Sequence, residues 1–536
     1  MMKKKGLALI LCMAMLVSLL ASCGGGNGAA GPGEGTSGKD TSGVAGTDGS
    51  GCTEVSNAGG ELVNIIWQWP SISGTTGTGF QAVEDALNEM MERDIGVHVT
   101  LEPVKVSDLA NQTTLTVSSG EQLDICFELG TGIQSLISNG LILPIDEYVD
   151  AYGAAIKEKC GSRLLGCYYQ GKLYAVPNTD VDGNSFGYVA RKDLLDKYGI
   201  TVDPGKLYTM EEIEEIFATV KAGEGDSFFC QIPSTSLNTV EAMLWGAYKE
   251  FDTLGATTAS GVMMLNRSFT DLKVENLYTS EEYADYANLM YNWAQKGYIS
   301  KDAAMNTEDV SVLMSSGNYL GYFRWTTPNG VFDLESTTGY DMVCLETVPA
   351  YITAPAPTVS WQIPITSVNP AKAVEALNYI YENNEAAWLL QWGLEGQDYE
   401  VLETNEDGIS IKYLSEDTTK LPYYQPLGIY GSRLEWPLLV PNPIDMNKRL
   451  LDFNASIPES RKSAAIGYIF NSESVSAEVA AITAVIAQYG TSFSCGAINP
   501  KTALPEFNRA LDDAGIKKVI QENQRQLSEW DGQNSK

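Results

Sequence analysis

The chain has 536 residues, 44% apolar and 10% aromatic, enough to bury sizeable cores in roughly two or three domains. Its 68 acidic residues against 35 basic ones give a net charge of −33. A surface so negative repels polyanions, which argues against nucleic acid as a partner.

At the N-terminus Lys3, Lys4 and Lys5 precede an apolar run from Leu7 to Leu20, then Ala21-Ser22-Cys23. A basic start, an apolar centre and small residues before a cut site read as a secretory signal. The run is too short to span a bilayer with margin. Leu20-Ala21-Ser22-Cys23 resembles the bacterial lipobox, which implies that Cys23 is lipidated and becomes the first residue of the mature chain. Residues 24–60 are mostly Gly, Ser, Thr, Ala and Asp and have almost nothing to bury. They read as a flexible tether of about 35 Å mean reach.

From Glu61 the pattern changes. Leu62 to Trp67 reads as a buried strand, and Phe80, Val83, Leu87 and Met90 recur at helical spacing. Val97–Leu101 is the next strand. A polar helix follows from about Ser107, Leu123–Phe127 is a third strand, and another helix ends near Asn139-Gly140. This alternation predicts an α/β layered domain with a mostly parallel sheet. Ligands of such sheets sit beyond the carboxyl ends of strands, which points to 67–79 and 128–132. Tyr168–Pro177 reads as a hairpin around Gly171. A strand over 187–190 and a helix over 191–198 come next. Thr209 and Glu212 have capping-box spacing ahead of Ile213, Ile216, Phe217 and Val220. A helix is predicted over 280–296, stopped by Gly297. Another is predicted over 369–392, with Pro370 at its first position and Gly393 and Gly396 as its stop. Tyr399–Leu402 then opens a hairpin that turns at Asn405–Gly408. The last helices are predicted over 477–489 and 504–530.

The single histidine, His98, alternates in an apolar strand, so Ser-His-Asp, Cys-His and multi-histidine metal sites are excluded. Asp180-Val-Asp-Gly-Asn184 begins like a calcium loop, but the sixth and twelfth positions hold Ser185 and Arg191 where Gly and Glu are needed. No phosphate-binding glycine loop is present, and no cofactor or metal is implied. Of the nine cysteines, seven lie outside the signal and the lipobox, scattered and odd in number. Most read as small apolar residues, with a Cys160–Cys167 disulfide left open. Trp67, Trp69, Trp245, Trp325, Trp361 and Trp436 fall near strand ends or loops. Indoles stack on the apolar face of a sugar ring while carboxylates, amides and Arg bond its hydroxyl rim, so the set suggests a carbohydrate cleft.

The order of segments resembles the extracellular solute-binding proteins of ABC transporters, family 1, the oligosaccharide and maltodextrin-like group. The residues that carry the likeness are Ser118–Phe127, Asn139–Ile145, Gln170–Pro177, Gly187–Leu195, Met314–Asn318 and Phe323–Trp325. The segment Gln488–Trp530 resembles the C-terminal region of a lipoprotein subgroup of that family. The resemblance implies a two-lobed α/β clamp of the type II periplasmic-binding-protein kind, with a hinge and the solute between the lobes. The first crossing is expected near 175–178. Lobe 1 then takes 61–178 and 307–360, and lobe 2 takes 179–306 and 361–536. Trp325 matches an aromatic that stacks on sugar in the family. Glu128 follows the third strand, where the family often has an aromatic. Trp245 sits where the family places cleft aromatics of lobe 2. Trp67, Trp69, Arg324 and Trp361 join the candidate site from strand-end position alone.

The implied function is a lipid-anchored monomer that performs no covalent chemistry. It sits on the outer face of the bacterial cytoplasmic membrane, held only through Cys23, and delivers an oligosaccharide to ABC permease subunits. The alternatives are the same fold carrying a non-sugar solute such as a peptide, and a surface glycoside hydrolase.

Overall fold

The computed structural model describes residues 62–72, 76–129, 133–233, 252, 254, 262–264, 269–353, 359–468 and 470–534. The signal, the tether, Cys23, Cys52 and Trp245 lie outside them.

The first lobe begins with β1 (Val63–Ser71) and β2 (Val97–Lys105), paired in parallel around the helix Phe80–Ile95. That helix buries Phe80, Val83, Leu87 and Met91 and ends at Gly96, whose φ of 65° is the left-handed stop glycine adopts freely. β3 (Cys126–Leu129) joins β1 through a parallel bridge between Trp67 and Ile125. β4 (Tyr168–Tyr169) and β5 (Lys172–Leu173) form the predicted hairpin, and β6 (Val176–Pro177) ends this pass.

The chain then crosses over residues 178–183 into the second lobe. β7 (Asn184–Arg191) lies at the centre of a four-stranded sheet with β8 (Phe229–Gln231), β11 (Tyr319–Thr326) and β12 (Met342–Tyr351), in the order β12–β7–β11–β8. A short separate pair, β9 (Val262–Met264) and β10 (Val274–Asn276), precedes β11 in the chain. β7 is antiparallel to both its neighbours while β11 and β8 are parallel, so this sheet is mixed. Thr209 and Glu212 form both bonds of the capping box on the helix Met210–Glu224.

The expected return of 307–360 to lobe 1 is corrected by this pairing. β11 and β12 flank β7, and Leu320, Phe323, Leu345 and Val348 share one apolar core with Phe186, Tyr188 and Trp293. The return comes later, at β13 (Val359–Gln362), which is inserted between β3 and β6. Residues expected in lobe 2 therefore build lobe 1. Trp361, Leu377, Ile380 and Tyr430 share its core with Trp67 and Phe127. Asp124 fastens this return, accepting Ile66 N on one oxygen and Ser367 Oγ and Val368 N on the other.

The predicted helix over 369–392 is two helices, Pro370–Glu382 and Asn384–Trp392. Asn383 breaks them apart: its side chain accepts from Glu385 N and Ala386 N and starts the second helix. β14 (Tyr399–Asn405) and β15 (Gly408–Tyr413) form the predicted hairpin, with β16 (Leu438–Leu439) beside β15. A third crossing, 432–445, leads back to lobe 2 and the helix Met446–Ser456.

The chain ends in helices Ser476–Ser494, Pro500–Asp513 and Ile516–Asn534; Gly515, at φ 95°, divides the last two where one helix is predicted. Phe493, Phe507, Leu511 and Val519 are buried in the same core as Trp293 and Tyr283. Gln524 accepts from Val274 N and donates to Leu272 O, so the last helix also holds β10. The six described cysteines are free thiols. Cys160 Sγ donates to Pro177 O at 3.4 Å rather than bonding to Cys167.

Candidate functional site

The first and third crossings run side by side. Thr179 of the first pairs with Ser432 of the third in a parallel bridge, and Thr179 Oγ1 accepts from Arg433 N at 3.1 Å. Gly183 touches the end of β12, where a Cβ would come within 2.4 Å of Tyr351 O. Asn454, beyond the third, accepts from Asp182 N at 2.9 Å.

Next to this bundle the lobe 2 sheet has two unlike faces. On one, Phe186, Trp325 and Val348 occupy one cross-strand row, and Phe186 and Val348 are buried in the large core, with Trp325 packed against it. On the other, Arg324, Gly187 and Glu346 form the neighbouring row, with Ser185 and Thr326 one pair further on. Residues directly opposite in an antiparallel pair share a face, so Arg324 and Glu346 flank the same glycine. An apolar cluster of Val189, Met314, Leu334 and Met342 covers the rest of that face and leaves this end polar.

The helix Pro328–Thr338 starts just after β11 and places Asp333 over the polar end. Asp333 is exposed; partial desolvation by nearby protein raises its carboxyl, while Arg433 and Arg324 pull it down and Asp180 raises it. Glu346 is likewise raised by desolvation, against a Ser185 bond and the Arg461 charge. Arg433 at the lobe 1 end of the third crossing meets Asp180 at 2.7 Å. The result is a polar notch to which lobe 2 and two crossings contribute. It offers carboxylate acceptors and guanidinium donors, the groups that hold hydroxyls. Among the described residues no group of three or more His, Cys, Asp or Glu is placed to hold a metal.

Of the candidate residues, Arg324 stands in the notch, its Nε donating to Trp325 O at 2.9 Å. Trp325 is half-buried on the opposite face of the same strand, and its Nε1 donates to Tyr351 Oη at 3.1 Å. Trp67 and Trp361 are 1% and 0% exposed and meet edge to face at 5.4 Å inside the lobe 1 core. Trp361 Nε1 donates to Ile429 O, so both its ring and its polar edge are taken up by the core. Trp69 is buried against Phe80 and Tyr423. These three rings are thus enclosed in this conformation. Glu128 is buried on β3 opposite Ser360. His98 pairs with Glu92 at 2.6 Å on β2. Asp333, Glu346 and Arg433 were not singled out by the sequence. The one available signal was the Tyr-Phe-Arg-Trp alternation of β11, which places Arg324 on the face opposite Phe323.

Residues 74–387 match the family model of bacterial extracellular solute-binding proteins, and residues 464–531 match a domain of unknown function. A carbohydrate ABC transporter substrate-binding protein of Streptococcus pneumoniae serotype 4 is 23% identical over 449 residues, 83% of this chain and 86% of that one. Among solved structures, the N-glycan transport solute-binding protein NgtS of Streptococcus pneumoniae superposes with a TM-score of 0.70 at 21% identity, over 89% of this chain and all of that one. The same protein in complex with Man5GlcNAc gives 0.55 at 20% identity, over 89% and 99%.

Proposed function

The chain belongs to the bacterial extracellular solute-binding proteins, and from that membership we propose that it captures an oligosaccharide between its lobes and delivers it to an ABC importer. The observation that carries this reading is the polar notch beside the crossings. There Arg324 and Glu346 flank Gly187 on the lobe 2 sheet, and Asp333 interacts with Arg433 of the third crossing. A solute bonded to both sides gains contacts only when the lobes close, and that differential affinity shifts the open–closed equilibrium. The closed form is then what the permease recognises. The carbohydrate and N-glycan descriptions of the relatives support a glycan as the solute.

The lobes we assign are 62–178 with 359–440, and 184–353 with 446–534. Lipid on Cys23 holds a monomer at the outer face of the membrane, with the tether leaving the lobes free to reach the permease. The family binds and hands over solutes rather than converting them.

A thermal-shift screen of the mature chain against neutral glycans, Man5GlcNAc among them, tests the proposal, because a ligand of the native state raises apparent stability by mass action. A saturable rise without product supports it. Release of shorter sugars would make the protein a glycoside hydrolase, and a response to peptides alone would make it a carrier of another solute. For the anchor, Cys23→Ser should move the chain from the membrane fraction to the medium. Retention on the membrane would overturn lipidation at this residue.

A further inference from the structure

We propose that the helix Met446–Ser456 is the bearing on which the two lobes turn, with Asn447 and Asn454 as the positioning residues that hold the lobes in the relation seen here. The proposal rests on the solute-binding reading above, in which the lobes move about the crossings.

Along the first crossing the chain changes its attachment between two neighbouring residues. Arg163 belongs to a lobe 1 segment whose Leu164 and Cys167 lie in that lobe's core. Its Nε donates to Asn178 O at 3.0 Å and its Nη1 to Val181 O at 2.9 Å, with Asp182 Oδ1 at 3.5 Å. The crossing is therefore tied to lobe 1 as far as Asp182. Gly183 is already pressed against Tyr351 and Ile457 of the other lobe. On the third crossing, Trp436 is still buried in the lobe 1 core.

One face of the helix Met446–Ser456 meets both crossings. Asn447, Leu450 and Asn454 are three and four residues apart, which sets them along one side of a helix. Asn447 Nδ2 donates to Trp436 O at 2.8 Å. Asn454 Oδ1 accepts from Asp182 N at 2.9 Å, and its Nδ2 donates to Asp180 O at 3.4 Å. Met446 and Leu450 pack in one apolar cluster with Val181 and Leu434 of the crossings and Phe332 of lobe 2. Just after the helix, Arg461 donates from Nε to Ala350 O and from Nη2 to Pro349 O, both at 2.8 Å, and Ser463 N donates to Ile352 O. These bonds fix the end of the helix to lobe 2.

Each asparagine thus joins backbone carried by lobe 1 to a helix carried by lobe 2. A rotation of the lobes has to break these bonds. The asparagines are neutral and half-buried, so water can take the place of a lost partner at small cost. The apolar contacts between them have no fixed direction and tolerate a small shift. Reversible bonds beside a non-directional contact suit a joint that moves.

The test is small-angle scattering on the full mature chain without solute. Asn447→Ala combined with Asn454→Ala should change the lobe separation, because the lobe position seen here loses its bonds. Alanine is a better helix former than asparagine, so the helix itself survives. Arg449→Ala is the control: Arg449 is exposed on the same helix, pairs with Asp445 at its start, and should leave the separation unchanged. An unchanged separation in the double variant, or an equal change in the control, overturns the inference. The neutral glycan with the largest thermal shift should bind the double variant with an affinity altered by about fivefold or more, as a shifted balance between two lobe positions requires. Unchanged affinity would cut the helix off from capture and overturn the inference as well. If no glycan binds, the sugar reading falls and the scattering alone decides this inference.

Discussion

Gly183 and Tyr351 meet where the first crossing passes the end of β12: a Cβ on Gly183 would stand 2.4 Å from the Tyr351 carbonyl oxygen and 2.7 Å from Ile457 Cδ1. The backbone of Gly183 needs no unusual φ, so the demand is steric. Gly183→Ala is expected to push the first crossing away from β12 and cost about 1–3 kcal/mol, the usual penalty of overpacking. Urea unfolding measures the loss, and small-angle scattering should report an altered lobe separation. An unchanged midpoint would show that the crossings yield freely.

The Arg433–Asp180 pair joins two crossings at 2.7 Å, with side chains 44% and 28% exposed. At that exposure solvent screens the pair. A double-mutant cycle with Arg433→Ala and Asp180→Ala should give a coupling of about 0.2–1 kcal/mol. Raising salt should shrink it. A coupling several times larger would mean that the pair is desolvated in solution.

Trp325 lies next to Arg324 but on the other face of β11, half-buried and bonded to Tyr351 Oη. If its exposed edge contacts solute, Trp325→Ala should weaken glycan binding by about 1–3 kcal/mol, the range of a buried aromatic anchor. Trp325→Phe keeps a ring but loses the Tyr351 bond. Affinity unchanged in Trp325→Ala would assign the ring to packing alone.

Asn383 Oδ1 accepts from Glu385 N at 3.0 Å and Ala386 N at 3.3 Å, and its Nδ2 donates to Tyr379 Oη at 2.7 Å. Asn383→Ala should cost about 1 kcal/mol, as expected for loss of an N-cap. Asn383→Asp keeps the acceptor and should recover much of that loss in a chemical denaturation series.

Glu346 has a carboxyl raised above its ordinary value, first by desolvation. A raised carboxylate means that the native state holds its proton more readily than the unfolded chain. Stability therefore falls as pH rises from the ordinary glutamate value through the raised one. Glu346→Gln should be more stable than the parent at neutral pH, and the gap should close as pH falls back through that window. Thermal melts from pH 7 to pH 4 test this, and a gap that widens on acidification would reverse the assignment.

Much of the fold was legible because periodicity is local. Thr209 and Glu212 announce their helix three residues apart, and Gln170 and Gly171, at φ 50° and 75°, mark the tight turn between β4 and β5. Lobe membership is not local. Nothing in Tyr319–Thr326 names β7 as its partner, and the same alternating residues would serve beside β3, so the sequence alone does not tell which core 307–360 joins. Trp67 and Trp361 show the same limit at the site. Strand-end position suggested a cleft, whereas their rings complete the inside of lobe 1. Asp333 is one of 68 acidic residues, and only the crossings bring it beside Arg433.

Neither lobe is a continuous piece of chain. Asn378 takes the backbone N–H groups of Ala155 and Ile156 from more than two hundred residues away, and the helices after Ser476 seal a core begun at β7. A chain emerging N-terminus first thus presents all of β1 to β6 before the strand that completes their sheet exists. The long closures cost entropy before any contact compensates it, which slows folding as contacting residues lie further apart in sequence. The two lobes are consequently interleaved in time: lobe 1 waits for β13, and lobe 2 waits for the last helix.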